Sequence, residues 1–216
     1  MLGAGMIAPV IYIAGDILAS ARYEDYSYVD HTISELNAVG APTRPLTIAV
    51  GLVVYALLIA FGAGIWSAAA DRRLRVSGAV LVGLGVLSLW AVPFASMRVR
   101  GAEQDPTHVM AGGVAVVLLV IAMAFAAAAL GPRFRYYTIA TILVMLGFGA
   151  WTAVDGPRVA EGLDTPWLGV KERISFYSYN LWFLLLTLAL LRGRAGGAAG
   201  DRVRAAALPT ERATTA

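Results

Sequence analysis

Three short stretches hold most of the residues able to do chemistry. "DHTISEL", Asp30 to Leu36, sets His31 three residues before Ser34 and four before Glu35. On a helix, residues three and four apart are neighbours, so imidazole, hydroxyl and carboxylate would share one face. A histidine beside a carboxylate can act as a general base or hold a metal, and a nearby serine could be activated as a nucleophile. The stretch also fits a local structural role. Thr32 and Glu35 match the S/T-x-x-E capping box, and Asp30 could equally be the N-cap. His31 need take no part in either cap. "DPTH", Asp105 to His108, reads as a helix start, with Asp at the N-cap and Pro at N1. It places the second of the chain's two histidines on the first turn of a helix. Neutral imidazole is the form that takes a proton or binds a metal.

The third stretch is "KERISFYSYNLWF", Lys171 to Phe183. Glu172 suits the positive end of a helix. Arg173 does not, and calls for an acid from another loop or an anionic headgroup. The aromatics that follow fit an interfacial belt or the wall of a greasy pocket. Asp16 stands alone in an apolar run and requires a partner or a wet cavity. The candidate catalytic residues are His31, Ser34, Glu35, Asp105 and His108. The candidate substrate-binding residues are Asp16, Tyr26, Trp90, Arg173, Tyr177 and Trp182. There is no HExxH pair and no cysteine, so no metal ligand set is assigned. Walker, dinucleotide-binding and GxSxG patterns are also missing, and no cofactor is implied.

These residues sit in a chain built for lipid. It is 59% hydrophobic and 14% charged, where soluble domains carry about 25% charged residues. The arginines punctuate apolar runs rather than forming a basic face. The basic balance therefore reads as membrane topology, and nucleic acid is excluded as a partner. A helix needs about 20 mainly apolar residues to cross the hydrocarbon. Six segments meet or nearly meet this: Leu2–Ala21, Leu46–Ala70, Val76–Met97, Val109–Leu130, Tyr136–Val154 and Ile174–Leu191. The first lacks a basic leader and is interrupted by Asp16, so it reads as a retained span. The expected fold is an all-α integral membrane protein, a six-helix transmembrane bundle over residues 1–192. The polar, Gly/Ala-rich segment 193–216 is expected to be a disordered cytoplasmic tail.

Charge orients the bundle. The two tight loops and the tail hold ten of the 17 basic residues against three acids, while the three longer loops hold ten of the 14 acids. Positive residues mark the cytoplasmic side, so both termini are expected there, in the cell membrane. The longer loops, with both histidines, then meet at the extracytoplasmic end.

The pattern resembles the bacterial domain-of-unknown-function 998 family of six-span membrane proteins. The resemblance rests on "HTISELNAVGAP" after the first span, His108 opening the fourth, and the G-x-x-E-R-I entry, Gly169 to Ile174, of the sixth. It runs to about Arg192. The charged "RVRGAEQDPTH" run and the Asp155–Trp167 loop depart from it. It implies the architecture and carries no activity.

The expected function is that of an intramembrane enzyme acting on a membrane lipid or isoprenoid. The reaction would be hydrolysis or acid-initiated cyclisation, performed by the outer polar cluster. Two alternatives stand beside it. One is a non-catalytic scaffold or partner protein, whose cluster is a hydrogen-bond network. The other is a small-molecule transporter, which would need polar groups through the whole membrane; here only Asp16 and Asn180 lie at depth.

Overall fold

A computed structural model describes residues 1–207, with side chains to residue 193. Its helices are α1 (Ala4–Ser20), α2 (Ile33–Leu36), α3 (Arg44–Ala68), α4 (Arg72–Phe94), α5 (Pro106–Ala129), α6 (Pro132–Val154), α7 (Gly156–Ala160) and α8 (Leu168–Ala207). Strands are absent among the described residues apart from an isolated bridge between Val39 and Arg98. Helices α3, α4, α5, α6 and the first 26 residues of α8 are long and apolar enough to cross a membrane. Helix α1, with 17 residues, is shorter but stays within the usual range for a span. The expected six-helix membrane bundle is therefore what the chain forms. The tail expected at 193–216 lies outside the residues whose side chains are described.

The spanning helices after α1 begin earlier than their apolar runs. Asp71 caps α4 by accepting from the Arg73 and Leu74 backbone N–H groups. Asp105 caps α5 by accepting from Thr107, with Pro106 at the first helical position. Hydropathy marks the part of a helix in hydrocarbon, whereas caps set where the helix starts. The largest shift is in α8, which starts at Leu168 rather than near Ile174. Its Lys-Glu-Arg run is thus helical and turned into the protein, where all three side chains are buried.

The spans form a ring. α1 packs on α3, α3 on α4, α4 on α5, α5 on α6, α6 on α8, and α8 returns to α1. At the end carrying the N-terminus and the tight loops, the ring is filled. Phe61, Ile65, Leu81, Met123, Trp182 and Leu186 pack there without solvent contact, and Trp182 Nε1 donates to Thr138 Oγ1 at 3.0 Å. Helices α3 and α4 meet backbone to backbone at Gly62 and Gly78. A Cβ on Gly78 would lie 2.6 Å from the Gly62 carbonyl oxygen and 2.7 Å from the Trp66 nitrogen. Neither obstacle can swing aside, so Gly78→Val should cost about 1–3 kcal/mol, as overpacking does. A lowered melting temperature in detergent would show it; an unchanged one would contradict the close approach.

At the opposite end, the loop end, the three long connections interlock. Val39 N–H donates to the Met97 carbonyl (2.8 Å) and Gly101 N–H to Val159 (3.0 Å). Gly101 and Gly162 cross with positive φ of 79° and 74°, a backbone shape that glycine adopts without strain. Beneath them Ala38, Ala41, Met97, Val159 and Leu168 form a second small core. The loops together make a lid over the ring.

Candidate functional site

The lid is anchored by one buried ion pair. Arg173 enters from the second turn of α8 and meets Asp16 on α1, with Nε to Oδ2 at 3.0 Å and Nη2 to Oδ1 at 2.8 Å. Its remaining donors reach the carbonyls of Tyr28 (2.7 Å), His31 (3.2 Å) and Gly169 (3.3 Å) and the hydroxyls of Ser20 and Tyr26. The guanidinium also stacks on the Tyr28 ring, 3.6 Å from its centroid. Asp16 accepts in addition from Ser20 and from the Tyr177 hydroxyl. Both side chains are almost wholly buried. A buried charge needs a partner and full hydrogen bonding, and this pair has both. Burial holds the nearby Tyr26 hydroxyl well above the ordinary tyrosine range, against the opposing pull of Arg173. Gly169 is fixed by the same packing, since a Cβ there would lie 2.6 Å from the Tyr28 carbonyl oxygen.

Glu35 closes the first loop over the second. Its carboxylate accepts from Thr32 N–H at 2.7 Å while Thr32 Oγ1 accepts from Glu35 N–H at 3.2 Å, a complete capping box. Arg100 then clamps it, with Nε to Oε1 at 2.9 Å and Nη2 to Oε2 at 3.1 Å. Arg100 Nη1 donates onward to the Leu163 carbonyl of the third loop. Asp30 ties the first loop to the third by accepting from Trp167 N–H and Ser27 Oγ, both at 2.9 Å. The Trp167 amide and the Ser27 hydroxyl hold its carboxyl below the usual aspartate value. A depressed carboxyl contributes stability above its unfolded pKa and loses it as pH falls through the folded value. Acid below the ordinary aspartate range should therefore loosen the third loop. Asp30→Asn should remove that acid-dependent step, as read by hydrogen exchange at Trp167; the same step in the variant would contradict the assignment.

Under the lid lies a cavity of about 700 Å³, walled by all six spans and α2. Its lining is largely aliphatic and aromatic, and Tyr12, Tyr55 and Tyr179 stand along its middle. At its lid end the cavity is lined by the polar side chains of Ser34, Asn37, His108 and Glu172. Glu172 is the carboxylate of that end. It accepts from the Ile33 backbone N–H, and its Oε1 accepts from Ser34 Oγ at 3.0 Å. No ion pair reaches it among the described residues; the adjacent Arg173 and Lys171 are taken by Asp16 and Asp155. His108 Nδ1 is held at 2.9 Å from the Ala95 carbonyl, which leaves Nε2 free to accept or donate a proton. Asn180, eight residues after Glu172 and about 12 Å further along the helix, spends its amide N–H on the Phe176 carbonyl and also faces the cavity.

The cavity ends blindly against Phe61, Leu119, Met145 and Phe183, beyond which the packed core closes the ring. It is open sideways. In α5 every buried residue lies from Leu119 onward, and in α6 none lies after Met145. Toward the loop end neither helix buries a residue, and Gly112, Gly113, Val116, Leu146 and Ala150 line the cavity and are exposed. Glycines at 112, 113 and 147 have no side-chain or backbone neighbour within 4 Å of a would-be Cβ.

The predicted site residues divide among these features. Ser34 and His108 line the cavity. His31 does not: it lines a separate small outer pocket with Asp30, Arg100 and Thr165, with its Nδ1 accepting from Ser27 N–H at 3.2 Å. Glu35 is enclosed by its cap and Arg100, and Asp105 is an exposed N-cap. The five are not one cluster. Of the six binding residues, Asp16 touches the cavity wall but is saturated by Arg173, Tyr177 and Ser20. Tyr26, Arg173 and Tyr177 belong to that same network. Trp182 is core, and Trp90 is half-exposed on the outside of α4 beside Phe94. Glu172 went unrecognised because a glutamate at a helix start is explained by the dipole alone. The available signal was the stripe Glu172, Phe176, Tyr179, Asn180 and Phe183, which recurs at three- and four-residue spacing. Among the described residues no three His, Asp or Glu side chains converge as a metal site.

No curated protein and no solved structure matches the chain. One family model does, described as a protein of unknown function (DUF998), and it covers residues 6–189. That span takes in all or part of each helix of the ring, the lid and the Glu172 end of the cavity, and the chain belongs to the DUF998 family.

Proposed function

We propose that this membrane protein is an intramembrane enzyme acting on a lipid or isoprenoid substrate held in the ring. The observation that carries this reading is the shape of the cavity: blind, mainly apolar, open sideways between α5 and α6, and with Glu172, a carboxyl outside any ion pair among the described residues, at its lid end. Its volume lies in the range that binds small amphiphiles. A molecule dissolved in the bilayer would enter through the α5–α6 opening without crossing water. Its chain would lie along Tyr12, Tyr55 and Tyr179, and its reactive end would meet Glu172, Ser34 and His108. The Ser34 hydroxyl within hydrogen-bond reach of a carboxylate, itself oriented by Ile33 N–H, has the arrangement of a nucleophile or bound hydroxyl beside its base. His108 is a second group able to pass a proton.

The closed end of the cavity favours an enzyme over a conduit, because a transport path would continue beyond Phe61. If the charge bias sets the orientation, the reaction occurs on the extracytoplasmic side. The test is to incubate purified protein with a total lipid extract and follow lipid composition by mass spectrometry. A lipid consumed by the parent protein and not by Glu172→Gln supports the enzyme reading. A lipid bound equally and changed by neither favours the non-catalytic partner reading instead.

A further inference from the structure

The charge of the cavity wall restricts what its occupant can be. The lining contains two carboxylates, Asp16 and Glu172, one histidine, and no lysine or arginine. None of the seven basic side chains of the three longer loops lines the cavity: Arg173 pairs with Asp16, Lys171 with Asp155 and Arg100 with Glu35, Arg44 Nη2 donates to the Pro93 carbonyl at 2.8 Å, and Arg22, Arg98 and Arg158 are exposed. Phosphate recognition depends on arginine, lysine or free backbone N–H groups. The amide nearest the polar end, Ile33 N–H, already donates to Glu172. Glu172 and the Asn180 carbonyl oxygen instead offer acceptors, and Tyr12, Phe176 and Tyr179 surround the space between them with aromatic faces.

Resting on the reading of the cavity as a lipid site, but not on turnover, we propose that it selects an amphiphile whose head donates hydrogen bonds and carries no negative charge, an alcohol or an amine. Phosphate and diphosphate heads are excluded. A hydroxyl or ammonium at the polar end completes the acceptor capacity of Glu172. A diphosphate there would face the Glu172 carboxyl in a low-dielectric space whose lining holds no lysine or arginine.

The experiment compares one hydrocarbon chain with three heads. Geranylgeraniol, geranylgeranylamine and geranylgeranyl diphosphate are titrated into the detergent-solubilised full chain, and binding is read as the shift in melting temperature and by displacement of a fluorescent lipid. The alcohol and the amine should bind at least tenfold more tightly than the diphosphate. In Glu172→Leu that preference should shrink toward equality; Glu172→Gln, which keeps one acceptor oxygen, should retain part of it. Diphosphate binding as tight as the alcohol's would overturn the head-group selection while leaving the lipid site intact. Binding of none of the three would remove the lipid site itself, and this inference with it.

Discussion

Arg173→Ala should be the most damaging single substitution in the chain. It leaves the Asp16 carboxyl in the protein interior with only hydroxyl donors, and removes the group that holds the Tyr28, His31 and Gly169 carbonyls together. Breaking a buried pair by deleting one partner costs about 3–5 kcal/mol, a large share of the stability of a typical domain. Equilibrium unfolding in mixed detergent would measure it. Arg173→Lys should recover only part, because an ammonium cannot make the two-pronged contact with Asp16 while reaching the loop carbonyls. The double variant Asp16→Asn/Arg173→Met should cost less than the sum of the singles, since no buried charge is left unpaired. Equal stability of Arg173→Ala and the parent would mean that the pair is open to water and the lid is held otherwise.

Glu172→Gln should do the reverse: small loss of stability, large loss of function. The glutamine can accept from Ile33 N–H with its oxygen and donate to Ser34 Oγ with its amide, so both existing contacts have replacements. What it lacks is the ability to take or give a proton. Removing a positioned acid–base group typically costs on the order of 10²–10⁴ in rate. Lipid conversion should fall by at least a hundredfold while the melting temperature stays close to the parent's. Ser34→Ala should fall with it if the hydroxyl is the nucleophile, and much less if it only orients Glu172. A Glu172→Gln protein that converts lipid at the parent rate would move the chemistry away from this carboxylate.

The contrast between these two neighbouring residues explains what could be read from the chain. The spans were legible because lipid demands long apolar runs, and the Thr32–Glu35 cap and the Asp105–Pro106 start were legible because both are local. Asp16 and Arg173 each stood out as charges in need of a partner, yet 157 positions separate them, and nothing local says that they meet. Glu172 carried the opposite problem: its place at a helix start already had a sufficient local explanation. Its real surroundings depend on α8 starting at Leu168 and turning this face inward. His31 and Glu35 have the residue types of a site, but the fold uses one beside Ser27 and the other as a clamp for Arg100. Trp90 and Trp182 show the same limit for aromatics, since spacing does not tell an outer belt from a core or a cavity wall.

The account depends most on the cavity being a lipid site entered between α5 and α6. Native mass spectrometry of the gently solubilised protein tests this directly, with Gly113→Trp as the comparison. Position 113 has open space around it, so an indole there should block the opening without disturbing the fold. The account predicts a discrete bound lipid mass on the parent protein and on Glu172→Gln, and its loss from Gly113→Trp at unchanged melting temperature. A parent protein that carries no lipid, or a Gly113→Trp variant that retains the same one, would contradict it.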